Sequence, residues 1–293
     1  MAHSVEMLGQ ECFDLKNKAI AHLHDYSFMD EIPTIDYSLL FSKDHNERAK
    51  SLEHLGKACQ DFGCFYLING VEERVVEGAL KGISDYFELT NQEERSEYLK
   101  KNSMDRIRWY LRSDAGENRE NLKIVTHPEY HCPSKPDSCK DAIGEYLKGM
   151  HEVELGSTGL AEHTDPGFFV SLIQDVNGGL QVLSHQGNWI TVNIPRNTIF
   201  VGIGDHLEIL TNGKYKSHIH QVILDNNEVK RISMATLHGP SLDTFVASAP
   251  GFINDSHPPT YRGMTYKESL ELNGFDEIDV QSSLIQLQMP LSL

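Results

Sequence analysis

The sequence is poor in basic residues and contains no long apolar run. Its 293 residues include 26 lysines and arginines against 43 aspartates and glutamates, which gives a formal net charge of -17. That charge repels phosphate backbones and anionic membrane surfaces, so nucleic-acid and membrane partners are not expected. No apolar run approaches the roughly 18 residues that cross a bilayer, and the first residues, MAHSVEMLGQECFDLK, lack the regions of a signal peptide. We therefore expect a soluble cytoplasmic protein with small-molecule or protein partners.

Cysteines are few and show no pairing pattern. Cys12, Cys59, Cys64, Cys132 and Cys139 form no CxxC pair. An odd set without a sign of secretion predicts reduced thiols. Cys132 and Cys139 share a loop-like stretch, but without a second pair a metal site there is a weaker interpretation than buried or incidental cysteine.

The overall composition, with 39% hydrophobic and 24% charged residues, is typical of a globular protein, so we expect a packed core. In the first half, apolar positions recur at helical spacing over 49–62, 71–89 and 92–100, with a cap at Asn91. The run CFYLING between the first two helices predicts one strand. A polar passage over 103–141 breaks the periodicity, and 142–150 predicts one more helix.

The second half changes to short apolar runs separated by turn residues. These runs are FFVSLIQ, GGLQVLS, NWITVNI, TIFVGIG, SHIHQVIL and RISMATL. Such even spacing predicts a mainly β fold with flanking helices, a β-sandwich or jelly roll rather than alternating βα units. We expect a helix-rich N-terminal region over 30–137, a jelly-roll domain over 155–250, and a tail over 251–293 that includes a helix over 267–272.

The segment LAEHTDPG places His163 and Asp165 two residues apart. In an extended chain both side chains leave the same face and can share one ion. A histidine from a neighbouring strand would complete a two-histidine, one-carboxylate triad, which leaves open positions on a ferrous ion. His220 is the candidate, but His218 shares its face, so spacing leaves that choice open. Because the chain has 15 histidines, a His-x-Asp pair can also arise by chance. The ordinary alternative is that His163 and Asp165 are surface or hydrogen-bonded residues that bind no metal.

A second pair, Arg231 and Ser233, shares one face of the next predicted strand. A guanidinium offers a carboxylate a planar, two-pronged hydrogen bond, and the serine hydroxyl adds a third donor. Taken alone, an ordinary surface arginine is the simpler interpretation. The conjunction with the His-x-Asp pair favours a carboxylate site.

The order HTD, NGKYKSHIH and RIS resembles the plant 2-oxoglutarate- and iron(II)-dependent dioxygenases, the group that includes flavanone and hyoscyamine hydroxylases. The resemblance extends to GGLQVLSHQGNWITVNIP, HGPSLDTFVASAP and, in the first half, IPTIDYSLL and ACQDFGCFYLING. It implies a double-stranded β-helix, or jelly roll, flanked by N-terminal helices. It also implies that His163, Asp165 and His220 form the catalytic Fe(II) site, with His218 outside the ligand set, and that Arg231 and Ser233 bind 2-oxoglutarate.

The implied activity is hydroxylation, desaturation or demethylation of a small plant specialised metabolite. O2 and 2-oxoglutarate would be co-substrates, with ascorbate as a reductant. Closeness to the motifs suggests a pocket lined by Phe168, Phe169, Leu237 and His238, with core packing as an equal alternative. Two other classes remain open: a catalytically silent paralogue with a binding or regulatory role, and a zinc hydrolase that uses the same triad.

One segment departs from the family pattern. Members carry N-x-Y-P-P-C just before the His-x-Asp strand, and its tyrosine helps to bind the co-substrate. Here the chain passes from the helix ending near residue 150 through HEVELGSTG directly to LAEHTD. This resembles an internal deletion, so we expect the loss of a core strand and of the end of the preceding helix. Either another segment fills the gap, or backbone groups are left unpaired and the site is loosened.

Overall fold

The computed structural model describes residues 32–102, 105–114, 117–126, 129–147, 152–157, 160–184, 187–223, 231–272 and 287–289. Within these ranges the helices are α1 (Tyr37–Leu40), α2 (His45–Asp61), α3 (Glu73–Leu89), α4 (Gln92–Ser96), α5 (Asp137–Tyr146), α6 (Asp205–Leu210) and α7 (Tyr266–Leu272), with a 3-10 turn at Pro250–Phe252. The helices predicted over 49–62, 71–89 and 267–272 are present, whereas the one predicted over 92–100 ends at Ser96. The predicted helix over 142–150 begins earlier, as α5, and residues 148–150 lie outside the described ranges. No described helix is long and apolar enough to cross a membrane.

The strands are β1 (Thr34–Asp36), β2 (Cys64–Ile68), β3 (Ile107–Asp114), β4 (Glu117–Val125), β5 (Glu152–Ser157), β6 (Leu160–His163), β7 (Phe169–Gln174), β8 (Leu180–Leu183), β9 (Trp189–Thr191), β10 (Ile199–Ile203), β11 (His220–Val222), β12 (Ser233–His238), β13 (Phe245–Val246) and β14 (Met264–Thr265). The larger sheet has eight strands in the order β1-β2-β10-β7-β12-β5-β4-β3, and a second sheet has four in the order β6-β11-β8-β9. Strands β5 to β12 thus divide equally between two sheets, as in a jelly roll. The predicted fold class is confirmed.

The larger sheet carries an apolar core on each face. On the outer face Ile173 and Met234 pack in one cluster with helix residues such as Ile83. On the inner face Phe200 packs in a second cluster with Leu180 of the smaller sheet. Because side chains alternate along a strand, these two clusters assign the residues of β7, β10 and β12 to the inside or the outside of the jelly roll.

Helix α4 begins where the sequence predicted. The Asn91 side chain accepts a hydrogen bond from the Glu94 N–H at 2.9 Å, and the Glu94 carboxylate accepts one from the Asn91 N–H at 3.1 Å. This reciprocal capping box satisfies two N–H groups that a helix start otherwise leaves without partners.

A hairpin occupies part of the polar passage over 103–141, where we predicted no strand. β3 and β4 pair antiparallel along their length and extend the larger sheet. The alternation of Ile107, Trp109 and Leu111 was a signal for β3. Buried charged residues, among them Arg108 and Lys123, concealed it, because they make the segment read as polar.

The core strand that we expected to be missing is present as β5. It pairs antiparallel with β12, from Ser233↔Gly156 to Leu237↔Glu152, and on its other side with β4. The expected loss of a strand beside β12 was wrong, and the alternative, another segment in the gap, is the one that the structure shows. Ladder hydrogen bonds join backbone groups, so a segment without the N-x-Y-P-P-C pattern can still occupy this position.

Cys59, Cys64, Cys132 and Cys139 are free thiols. None of them belongs to the group of described residues that could hold a metal ion. Cys12 lies outside the described residues. The weaker interpretation, a metal site at Cys132 and Cys139, finds no support in this part of the chain.

Candidate metal centre

Two neighbouring strands of the smaller sheet bring the predicted triad together. His163 ends β6, His220 begins β11, and the two residues are direct antiparallel partners. Asp165 follows β6, with Oδ1 at 3.6 Å from His163 Nε2 and Oδ2 at 3.5 Å from His220 Nε2. One ligand atom from each residue lies within 4.8 Å of the other two. The three side chains could therefore hold one metal ion.

Burial and neighbouring groups shift the pKa values of these side chains toward the protonation states that bind a cation. His163 and His220 are 9% and 7% exposed. Burial, with the neighbouring His163, lowers the pKa of His220 to about 3. Burial also tends to raise the pKa of Asp165, but the imidazoles of His220 and His163 outweigh that effect and hold it well below its usual range. At neutral pH this gives a neutral His220 imidazole and an ionised carboxylate, the states that metal coordination requires.

The structure separates His218 from the triad. Its ring centroid lies 5.2 Å from that of His220 and 5.8 Å from that of Phe200, which meets it edge-on. Among the described residues, the group able to hold a metal contains His220 and not His218. Gly202 makes room for the His218 ring, because a Cβ there would overlap His218 Cε1.

Arg231 and Ser233 lie side by side at the start of β12. Arg231 Nη1 donates to Ser233 Oγ at 2.7 Å, Nη2 donates to Gln174 Oε1 at 3.0 Å, and Nε donates to the Gly178 carbonyl at 2.7 Å. The two residues are 3% and 8% exposed. Ser233 alternates with Met234, whose side chain is on the outer face, so Ser233 faces the interior of the jelly roll.

The four residues predicted to line a substrate pocket do not lie together. Phe169 and His238 are on the outer face, where their rings stack with centroids 4.3 Å apart. Leu237 shares the inner face with Ser233 by alternation. Phe168 precedes β7, and its N–H donates to the His238 carbonyl at 2.7 Å. Of the two β12 residues in this set, only Leu237 lies on the inner face.

Two buried acids that the sequence pattern did not indicate, Asp205 and Glu208, lie beside the triad and are 1% and 6% exposed. Thr164 Oγ1 donates to Asp205 Oδ2 at 3.2 Å, and the Ser217 N–H donates to Glu208 Oε2 at 2.7 Å. Thr164 and Ser217 belong to the two segments that carry the triad. Acids in an otherwise apolar stretch, VGIGDHLEIL, were the available signal.

Comparisons with known proteins identify the family of this chain. Residues 32–144 match the family described as non-haem dioxygenase in morphine synthesis N-terminal, and residues 130–240 match the 2OG-Fe(II) oxygenase superfamily. The chain is 30% identical over 302 residues to 2-oxoglutarate-dependent dioxygenase 19 of Oryza sativa subsp. japonica, covering 86% of this chain and 89% of the relative. It is 27% identical over 288 residues to flavanone 3-dioxygenase 3 of the same species, covering 82% and 87%.

The first of these alignments is longer than the chain, 302 positions against 293 residues. The relative therefore has residues with no counterpart in this chain.

Solved structures share the fold. JOX2, in complex with 2OG, Fe and JA, superposes with a TM-score of 0.74 at 20% identity, covering 93% of this chain and 97% of JOX2. The dioxygenase for auxin oxidation of rice gives a TM-score of 0.73 at 18% identity, covering 88% and 100%. These identities show the fold alone. The family follows from the 30% identity across most of both chains: this protein belongs to the 2OG-Fe(II) oxygenase superfamily, among the 2-oxoglutarate-dependent dioxygenases.

Proposed function

We propose that this chain oxidises a small plant specialised metabolite at an iron(II) ion bound by His163, Asp165 and His220. The observation that carries the proposal is the convergence of one ligand atom from each of these residues within 4.8 Å. Two imidazoles and one carboxylate suit Fe(II) and leave coordination positions for other ligands. When bound, iron(II) supplies the activation of O2 that couples conversion of 2-oxoglutarate to succinate and carbon dioxide with oxidation of the substrate.

The chain's own residues hold the ligands in place. His163 and His220 are fixed by the register of β6 and β11, so their relative position is set by backbone pairing. Their burial limits the access of water to the ligand atoms. A fixed, water-poor site strengthens the electrostatic interactions within it.

Arg231 and Ser233 are proposed to bind the distal carboxylate of 2-oxoglutarate. The bonds from Arg231 to Gly178, Gln174 and Ser233 fix the plane of the guanidinium. A guanidinium stays charged at all relevant pH values and matches a carboxylate with two parallel donors. Because Ser233 faces the interior of the jelly roll, the pair presents these donors to the side on which the smaller sheet lies.

Leu237 is proposed to contact the substrate, since it shares the inner face of β12 with Ser233. An apolar contact there favours a hydrophobic or aromatic metabolite. A zinc hydrolase could use the same triad, but that chemistry assigns no role to the Arg231–Ser233 pair. From the sequence we further propose a cytoplasmic location and ascorbate as a reductant.

Product analysis tests this function. The purified protein, with iron(II), 2-oxoglutarate and ascorbate under air, is incubated with flavonoid and alkaloid panels, and products are identified by mass spectrometry. Gain of one oxygen atom indicates hydroxylation, loss of two hydrogens indicates desaturation, and loss of a methylene unit indicates demethylation. Asp165→Ala should form none of these products. Equal product formation by Asp165→Ala would refute the assignment.

A further inference from the structure

Helix α6 lies between the two segments that carry the triad. At its start the Asp205 N–H donates to the Asp165 carbonyl at 2.9 Å, and the His206 N–H donates to the Gly167 carbonyl at 2.8 Å. The Gly204 N–H donates to the Phe168 carbonyl at 2.9 Å. The first turn of α6 thus binds the chain immediately after His163.

This approach depends on the glycine before the helix. A Cβ at Gly204 would lie 2.6 Å from the Gly167 carbonyl oxygen and 3.2 Å from that of Asp165. Such contacts with backbone atoms cannot be relieved by a change of rotamer. The close contact between α6 and the Asp165 turn is therefore encoded in the sequence.

Two acids of α6 each contact one of the two segments that carry the triad. Asp205 accepts from the Thr164 hydroxyl at 3.2 Å, and Thr164 is the residue between the ligands His163 and Asp165. Glu208 accepts from the Ser217 N–H at 2.7 Å, and Ser217 begins the SHIH segment that ends at His220. Residues three apart lie on neighbouring positions of a helix surface, so one rigid turn joins both segments.

Further bonds fix the Glu208 carboxylate. Tyr261 donates from its hydroxyl at 2.5 Å and Lys216 from Nζ at 3.1 Å. A carboxylate that is 6% exposed is stable only when such donors replace its water. With its position determined from three sides, Glu208 is a rigid acceptor for the Ser217 N–H.

We propose that Asp205 and Glu208 are positioning residues of the iron site, which through Thr164 and Ser217 set the placement of Asp165 relative to His220. The proposal rests on the function proposed above, because it concerns the ligands assigned there. Neither acid contacts the reacting atoms. Direct hydrogen-bond partners of metal ligands typically change metal affinity by about 10–100-fold when removed. Asp205 and Glu208 act through a neighbouring residue, so we expect the lower end of that range.

Anaerobic calorimetric titration of Fe(II) into the metal-free protein tests the Asp205 contact. Thr164→Val should weaken Fe(II) binding by about tenfold, because it removes the donor to Asp205. Thr164→Ser keeps the hydroxyl and should bind as the wild type does. Thr198→Val is the matched control, since Thr198 is also buried, at 4% exposed, but precedes the opposite end of β10. It should bind Fe(II) normally.

A double-mutant cycle identifies the path. Asp205→Ala should weaken Fe(II) binding. Asp205→Asn should largely restore it, because the amide oxygen still accepts from Thr164. In the Asp205→Ala background, Thr164→Val should cause no further loss of Fe(II) affinity. For the second contact, Glu208→Ala should weaken binding, and Glu208→Gln should restore part of it, because its one amide oxygen can still accept from the Ser217 N–H. Thermal unfolding of each metal-free variant establishes that it is folded.

Wild-type affinity in a folded Thr164→Val variant, or failure of the conservative variants to rescue, would overturn the proposal. A wild-type protein that binds Fe(II) no better than His163→Ala would instead refute the proposed function. The two failures are therefore distinguishable.

Discussion

His163 and His220 face each other across the pairing of β6 with β11, with ring centroids 4.2 Å apart. The distance between the two rings follows from strand register, so folding of the backbone alone brings the two histidines together. Asp165 lies within 3.6 Å of both Nε2 atoms. Two strands and one turn thus place the three proposed metal ligands.

Removal of any one ligand should abolish this metal site. We expect His163→Ala, Asp165→Ala and His220→Ala to lose Fe(II) binding, because two remaining ligands hold iron poorly. His218→Ala should retain affinity within about tenfold, since His218 lies beside His220 but outside the group of side chains able to hold a metal. Anaerobic calorimetry measures these affinities. Loss of binding in His218→Ala equal to that in His220→Ala would show that the ligand assignment is wrong.

Replacement of Arg231 should affect 2-oxoglutarate more than iron. A charge-assisted hydrogen bond contributes about 1.5–3 kcal/mol, so Arg231→Ala should weaken 2-oxoglutarate binding by roughly 10–100-fold while Fe(II) affinity is retained. Arg231→Lys should recover little, because an ammonium cannot reproduce the planar fork. Titration of 2-oxoglutarate into the metal-loaded protein measures this. Unchanged affinity in Arg231→Ala would place the co-substrate elsewhere.

The sequence pattern predicted strands β7 to β12 and the placement of the triad on neighbouring strands. It could not choose between His218 and His220, because both occupy the same face of one short run. The resemblance to the family made that choice. The structure supports it, because His218 lies outside the group of side chains able to hold a metal.

Phe169 and His238, which we predicted to line the pocket, lie on the outer face of the sheet. A shift of one residue along a strand moves a side chain to the opposite face. Ser233 and Leu237 differ by an even number of residues and share the inner face of β12, whereas His238 is shifted by one and lies outside. Alternation from Ser233 could have excluded His238. The position of β5 could not have been foreseen in this way, because its pairing with β12 joins segments that are far apart in the sequence.

The position of the His218 ring should make glycine necessary at residue 202 for full stability. Gly202→Ala introduces a Cβ that overlaps His218 Cε1, and overpacking of a buried site costs about 1–3 kcal/mol. The double variant Gly202→Ala with His218→Ala should recover most of this loss. Urea unfolding of the metal-free proteins gives the free energies. An equal cost of Gly202→Ala with and without His218 would mean that another neighbour resists the methyl group.

His206 should make stability fall at acid pH. It is 0% exposed, and burial lowers its pKa from 6.5 to about 4. A depressed folded-state pKa contributes stability that is complete above pH 6.5 and is lost as the pH falls through 4. From the size of the shift, the loss is about 3 kcal/mol.

His206→Asn is the matched variant for that prediction, because its amide oxygen can replace Nδ1 as acceptor of the Gly167 N–H, a bond of 3.3 Å. Unfolding of the metal-free proteins is measured from pH 7 to pH 4. The stability of the variant should depend less steeply on pH, so the difference between the two proteins should narrow. Parallel pH profiles would mean that His206 does not cause the acid sensitivity.

The most direct test of the account is iron-dependent formation of succinate from 2-oxoglutarate under air, with Asp165→Ala and Arg231→Ala as controls. We predict succinate from the wild type in the presence of iron(II) and a substrate, and little from either variant. Absence of succinate from folded, iron-loaded wild-type protein across the substrate panel would contradict the account and favour a silent paralogue, in which the fold and the metal site persist without turnover.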